Sequence, residues 1–178
     1  MASLLGLLSL LGRTASAAHA YSGTITTKIS DDVTVGPGHG TITIDGAVIE
    51  GSLTINAVDA GATIVIKDTA VRDGIVFASA VAAGTAVDIT NLRCSPKGNH
   101  AIAFQSTMAG SLAVAGSHLT PTGANMRGMS FALAVSGPVS VAGTTVETES
   151  GNGIVVIGPL SSSFALTGSS VQSRSEER

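Results

Sequence analysis

Charged side chains that could do acid–base chemistry are spread between residues 45 and 100. Carboxylates grouped with lysine or arginine can act as general acids and bases, and the candidates of these types, with one histidine, are Asp45, Glu50, Lys67, Asp68, Arg72, Asp73, Asp88, Arg93, Lys97 and His100. Cys94 is the only cysteine, and the sequence nominates no base to activate it as a nucleophile. Whether any of these residues form a site depends on the elements that position them.

A short phrase that recurs six times supplies those elements. Its first residue, here called the marker or position zero, is always aliphatic, and successive markers are 22 to 27 residues apart: Ile44, Ile66, Ile89, Val114, Val141 and Leu166. A repeat of this period indicates a solenoid, in which each copy forms one coil and stacks on its neighbours.

The columns of the repeat predict the role of each position. Positions −2, zero and five are apolar in nearly every copy, which predicts short strands with one face inward. Position two is always Gly, Asn or Asp, the types that enter left-handed backbone conformations at low cost. Cys94 falls at position five and is predicted to be a buried hydrophobe. Asp68 falls at position two and is predicted to serve the backbone of the turn.

A further strand follows in each copy, as in Gly74–Phe77 and Gly128–Phe131. The segment before this strand varies in length, which predicts that the loops 93–100, 118–127 and 147–152 share one face, where binding would occur. Stacking also places Asp45 beside Lys67 and Glu50 beside Arg72, which predicts exposed ion pairs of structural value.

This pattern of repeated strands and turn residues resembles that of the right-handed parallel β-helix superfamily, the pectate-lyase-like proteins. The resemblance implies an all-β right-handed parallel β-helix of about six coils over residues 41–172, after an irregular first coil at 21–40 and before a charged tail at 173–178. The composition also resembles that of kinetoplastid surface proteins of the dispersed gene family type. Enzymes of the β-helix superfamily act on polysaccharides, so the resemblance offers Lys67, Arg72 and Asp73 as catalytic candidates, with Ca²⁺ as cofactor in a lyase.

The N-terminal 20 residues differ from the repeat. An apolar run at 4–11 is too short to cross a bilayer, and it is followed by Ala15-Ser16-Ala17 and Ala18-His19-Ala20, both of the small-x-small form. The segment is interpreted as a secretory signal peptide, although it has no Lys or Arg before the apolar run. The alternative is a cap over the end of the solenoid. The first interpretation predicts a secreted or cell-surface protein.

Composition narrows the function without naming it. Charged residues are 12% and the net charge is −3, which disfavours nucleic-acid binding. We expect a non-enzymatic β-helix module for adhesion, recognition or use as a stalk, with no catalytic residue and no cofactor. Glycans or host or matrix proteins are its expected partners. End-to-end self-association and membership of a longer chain stay open, and the alternative is a polysaccharide lyase or glycoside hydrolase.

Overall fold

The computed structural model describes residues 24–36 and 40–174, and every element in that part is a β-strand. Residues 1–20, interpreted as a signal peptide or cap, lie outside the described residues. The strands are ordered in coils, and each of coils 1 to 6 contributes one strand to each of three sheets. The strands of coils 1 to 3 are β1 (Thr24–Ile25), β2 (Lys28–Ile29), β3 (Val33–Val35), β4 (Thr41–Asp45), β5 (Val48–Ile49), β6 (Leu53–Ile55), β7 (Thr63–Lys67), β8 (Ala70–Val71) and β9 (Ile75–Phe77).

Coils 4 to 6 repeat this order, and coil 7 has strands in two of the sheets. Their strands are β10 (Ala86–Thr90), β11 (Arg93–Cys94), β12 (Ile102–Phe104), β13 (Ser111–Ala115), β14 (His118–Leu119), β15 (Met129–Phe131), β16 (Val139–Ala142), β17 (Thr145–Thr148), β18 (Ile154–Val156), β19 (Phe164–Thr167) and β20 (Ser170–Ser173).

Three parallel sheets run along the solenoid. The first contains β1, β4, β7, β10, β13, β16 and β19; the second contains β2, β5, β8, β11, β14, β17 and β20; and the third contains β3, β6, β9, β12, β15 and β18. Each strand between the two ends of a sheet pairs with its equivalents in the coils before and after it. This arrangement confirms the predicted all-β parallel β-helix, since adjacent coils are joined by strand pairing at about 4.8 Å spacing.

The register of the first sheet follows the marker column. Ile44 pairs with Ile66, Ile66 with Ile89, and the column continues through Val114 and Val141 to Leu166. The column also extends backwards, because Ile25 pairs with Ile44. The first coil therefore carries the same three strands as the others, in a segment expected to be irregular.

The second end of the solenoid also differs from expectation. β20 runs through Ser173, and the backbone N–H of Arg174 donates to the carbonyl of Thr148 at 2.7 Å. The Arg174 side chain forms an ion pair with Glu147 at 2.8 Å. Residues 173 and 174, assigned from sequence to a charged tail, thus belong to the last coil, because the chain there continues to bond to coil 6.

Aliphatic and phenylalanine side chains fill the interior between the sheets. The predicted inward positions are buried in coils 2 to 6, and Cys94 is fully buried among them. In the third sheet Phe77, Phe104 and Phe131 stack with ring centroids 4.4 and 4.8 Å apart, and Phe164 closes the stack edge-on at 6.2 Å. One continuous core therefore runs the length of the rod.

Candidate functional site

The turn between the first and second sheets has the same backbone geometry in six coils. The residue at position two has positive φ in each case: Gly46, Asp68, Asn91, Gly116, Gly143 and Gly168, with φ between 49° and 64°. Its N–H donates to the position-one carbonyl of the next coil, as Asp68 does to Thr90 at 3.0 Å. The structure confirms the predicted turn column and the backbone role of Asp68.

Both predicted ion pairs are present on the outside of the solenoid. Asp45 and Lys67 lie 3.0 Å apart, and this contact raises the pKa of Lys67. Glu50 contacts Arg72 at 3.2 Å and also Lys28 at 3.0 Å. The hydrogen bond and charge of Lys28, assisted by Arg72, lower the pKa of Glu50. The Glu50 carboxylate is therefore held ionised by its neighbouring cations.

The three catalytic candidates are divided between two sheets. Lys67 ends β7 of the first sheet and is engaged by Asp45. Arg72 and Asp73 follow β8 of the second sheet, beyond the turn. Arg72 is engaged by Glu50, and the backbone N–H of Asp73 donates to the carbonyl of Gly51 at 3.2 Å. Each candidate is therefore joined to the preceding coil by its own contact.

Cys94 and His100 are held by contacts with the main chain. The Cys94 thiol donates to the carbonyl of Ala101 at 3.4 Å, and burial raises its pKa to about 12. This confirms the prediction of a buried small hydrophobe. His100 accepts the backbone N–H of Arg127 through Nδ1 at 3.1 Å. Partial burial and the nearby Arg127 charge lower the pKa of His100, so its neutral form is favoured.

The variable loops contact one another from coil to coil. The hydroxyls of Ser95 and Thr120 are hydrogen-bonded to each other. Glu149 accepts the backbone N–H of Gly123 at 2.7 Å, and Ser150 donates to the Gly123 carbonyl at 3.4 Å. The face predicted to bind a ligand therefore uses several of its polar groups to join adjacent loops.

A groove crosses the turn column near the middle of the rod. It encloses about 670 Å³ and extends over coils 2 to 5, along positions two to four of the repeat. We call it the central groove; the side chains that matter in it are Val48, Asp68, Ala70, Asn91, Arg93 and His118. Three coil spacings of about 4.8 Å make it about 14 Å long.

Two of these side chains form a fixed polar pair. The Asn91 amide donates to Asp68 Oδ1 at 2.9 Å. A Cβ added to Gly116 would lie 2.7 Å from Asn91 Oδ1, so the glycine of the next coil leaves room for the amide. The pair is exposed, and its remaining oxygen and N–H groups can exchange hydrogen bonds with a ligand.

The groove also carries two basic side chains that form no ion pair within the described part of the chain. Arg93 and His118 are exposed and occupy directly paired positions on β11 and β14. Of the seven lysines and arginines in the described part of the chain, four are in ion pairs with carboxylates and Arg127 donates to Ser130. Arg93 and Lys97 form no such contact with any described residue, and both lie in coil 4.

The sequence interpretation missed two parts of this turn. His118 was not singled out, although it shares position four with Arg93. The hydroxyl side chains at position three, Thr69, Ser117, Thr144 and Ser169, were not recognised as a column. The position-by-position alignment contains both signals. The concave shape of the central groove depends on how the sheets pack, which no residue pattern specifies.

No group of three or more His, Cys, Asp or Glu side chains among residues 24–36 and 40–174 is arranged to hold a metal ion. Across the same residues, no helix is long and apolar enough to cross a membrane. Comparison with protein-family models, with curated proteins and with solved structures finds no match. The function must therefore be argued from the chemistry of the surface.

Proposed function

We propose that this protein is a non-enzymatic recognition module, secreted or displayed at a cell surface, that uses the side of its β-solenoid as a binding surface. The observation that carries the proposal is the contrast between two sets of basic side chains. The catalytic candidates Lys67 and Arg72 contact carboxylates of the preceding coil, whereas Arg93 and His118 are exposed in the central groove and form no ion pair with any described carboxylate.

This architecture suits ligand binding by a rigid outer surface. In a solenoid each coil contacts only its neighbours, so the outward side chains can vary without disturbing the core. The buried columns hold the outward positions at fixed spacing, and a rigid surface loses little conformational entropy when a ligand binds. The apolar N-terminal run and its small-residue motif support export of the module.

The second candidate function is cleavage of a polysaccharide, which the resemblance to pectate-lyase-like enzymes favours. It would use Lys67, Arg72 and Asp73, with Ca²⁺ in a lyase. The ion pairs that hold Lys67 and Arg72 argue against it, since a catalytic cation must be available to the reacting group.

One experiment separates the two functions. Purified protein is applied to arrays of glycans and of extracellular matrix proteins, and in parallel to polyuronates and neutral polysaccharides with and without Ca²⁺, with new chain ends measured. We expect binding without cleavage. Cleavage that disappears in Lys67→Ala or Asp73→Ala, with circular dichroism unchanged, would overturn the proposal.

A further inference from the structure

The central groove offers three kinds of contact in a fixed order along the rod. At coil 2, Val48 exposes 40% of its surface. The Asp68–Asn91 pair follows at coils 3 and 4, and Arg93 and His118 follow at coils 4 and 5. The small side chain of Ala70 lies between these groups and leaves the groove open. An occupant therefore meets an aliphatic surface, hydrogen-bonding groups and basic side chains within about 14 Å.

Arg93 specifies the charge of the occupant, and the imidazole of His118 lies beside it. The whole chain has a net charge of −3, so it exerts no general attraction on anions. Arg93 and His118 are adjacent rungs with no carboxylate bound to either, unlike Lys28, Lys67, Arg72 and Arg174. A guanidinium presents a planar fork that matches an oxyanion, and an imidazole can donate beside it. The pair therefore suits one carboxylate or sulfate group.

The polar pair specifies hydroxyl groups. Asp68 Oδ1 is occupied by the Asn91 amide, which leaves Asp68 Oδ2 as an acceptor. The amide has a second N–H and its own oxygen to exchange with a hydroxyl. Because Asn91 is held by Asp68 on one side and lies close to Gly116 on the other, this pair needs little reorganisation when a ligand binds.

A peptide fits the groove less well than a saccharide. Extended peptides bind sheets by pairing with a free strand edge. The strands that flank the groove, β8 and β11, are each paired on both sides, so no edge is available there. A saccharide needs no strand edge, since its hydroxyls, acidic group and aliphatic ring carbons correspond to the three kinds of contact.

We infer that the central groove binds an acidic saccharide, whose oxyanion contacts Arg93 and His118 and whose hydroxyls contact the Asp68–Asn91 pair. The inference rests on the proposed recognition function and adds the chemical class of its ligand. Two sources of the oxyanion, sulfate ester and carboxylate, share this chemistry.

The test uses three probes with one polymer backbone: dextran sulfate, carboxymethyl dextran and unmodified dextran. Calorimetric titration of the purified protein is expected to show binding of one or both charged probes and at least tenfold weaker binding of unmodified dextran. Arg93→Gln should weaken binding of the charged probe about tenfold, since it removes a charge-assisted contact. His118→Ala should weaken it by a smaller factor, since it removes a hydrogen-bonding group beside Arg93. Asn91→Gly, which installs the residue found at four other turns, should weaken binding while preserving the turn.

Arg72→Gln is the matched control. It changes the net charge as Arg93→Gln does, but Arg72 is paired with Glu50 outside the groove, so binding should change less than twofold. The inference is overturned if neither charged probe binds, if unmodified dextran binds equally, or if Arg72→Gln weakens binding as much as Arg93→Gln. If a different ligand then bound on the arrays, the proposed recognition function would still hold. Polysaccharide cleavage that depends on Lys67 or Asp73 would overturn that function as well.

Discussion

A column of buried hydroxyls joins neighbouring coils at the turn between the first and second sheets. Thr144 Oγ1 donates to the carbonyl of Ala142 at 3.1 Å and accepts the N–H of Ser117 at 3.3 Å. Ser117 repeats this pattern with Ala115 and Leu92. Each hydroxyl thus satisfies a backbone donor of the preceding coil and a carbonyl of its own. Without it the buried N–H would lose a partner, which costs free energy of folding.

Replacing Thr144 with valine tests this column. The substitution keeps the shape of a side chain that is 1% exposed but removes both hydrogen bonds. We expect the free energy of unfolding, measured by urea denaturation, to fall by about 1–3 kcal/mol. Thr145→Val is the control, because Thr145 faces outward in the same turn and makes no such bond. Equal stability of the two variants would contradict the role assigned to the hydroxyl.

Cys94 provides a second test at this scale, because it is the only thiol in the chain. Its burial and a pKa of about 12 leave almost no thiolate at neutral pH. The folded protein should therefore react with a colorimetric disulfide reagent roughly a hundredfold more slowly than the urea-unfolded protein. Reaction of the folded protein at the unfolded rate would show that the thiol is accessible and reactive.

The turn between the sheets is the element most closely specified by sequence. Gly143 has φ 53° and no atom within 4 Å of where a Cβ would lie, so substitutions there test the backbone alone. Gly143→Ala should reduce the free energy of unfolding by about 1–2 kcal/mol in urea denaturation. Gly143→Asn should reduce the free energy of unfolding by less, since Asn91 occupies the equivalent position in coil 4. An alanine variant as stable as the asparagine variant would contradict the requirement for a left-handed turn.

The charged ladder on the second sheet gives a prediction about pH. Lys28 and Arg72 lower the pKa of Glu50 below its ordinary value of 4.5. A lowered pKa means that the ionised carboxylate stabilises the folded state above about pH 4.5, and that this contribution is lost as the pH falls through the folded-state pKa. Titration of the Glu50 carboxyl by NMR should show a midpoint below 4.5.

Lys28→Met should raise that midpoint towards 4.5, because Lys28 is the largest cause of the shift. Lys67→Met is the control, since Lys67 contacts Asp45 on the first sheet and should leave the Glu50 titration unchanged. A midpoint at or above 4.5 in the unmodified protein would mean that the ion pairs do not persist in solution.

The residue columns of the repeat could be predicted from the sequence, but the shape of the outer surface could not. The buried positions and the left-handed turns recur at fixed offsets from each marker, because stacking forces equivalent residues into the same environment. The Asp45–Lys67 and Glu50–Arg72 pairs followed from the same alignment. The central groove did not, since it depends on the shape left between Asn91 and His118 once two sheets have packed. Phe77 and Phe131 were assigned to strands, but their stacking on Phe104 required the actual register.

At the scale of the whole molecule, the two described ends differ in how much apolar surface they expose. In coil 1, Ile25 and Val33 are each 8% exposed. In coil 7, Leu166 is 49% and Val171 is 40% exposed, although both occupy inward columns. Together with Leu160 and Phe164 they line an open concave surface. No described strand pairs with the outer edges of β19 and β20, so this end is both apolar and able to form further sheet hydrogen bonds.

We expect the isolated 178-residue chain to associate through this end. Coil 1 exposes less apolar surface, since Ile25 is buried and Ile29 is half-buried in the equivalent columns. The favoured contact is therefore between two coil 7 ends related by a two-fold axis, which closes as a dimer and does not extend into a fibre. Size-exclusion chromatography with light scattering should show a dimer at high protein concentration that dissociates on dilution. A monomer at all concentrations, or a ladder of larger species, would contradict this arrangement.

Leu166→Lys should abolish the dimer, because it places a charge in the centre of the contact. The fold should tolerate the change, since the Leu166 side chain is half exposed in the monomer. Val48→Lys is the matched control, since the exposed fraction of Val48 equals that of Val171 but Val48 lies in coil 2. The control should dimerise like the unmodified chain. Loss of the dimer in Val48→Lys would place the contact on the side of the rod and would bring it into competition with the ligand of the central groove.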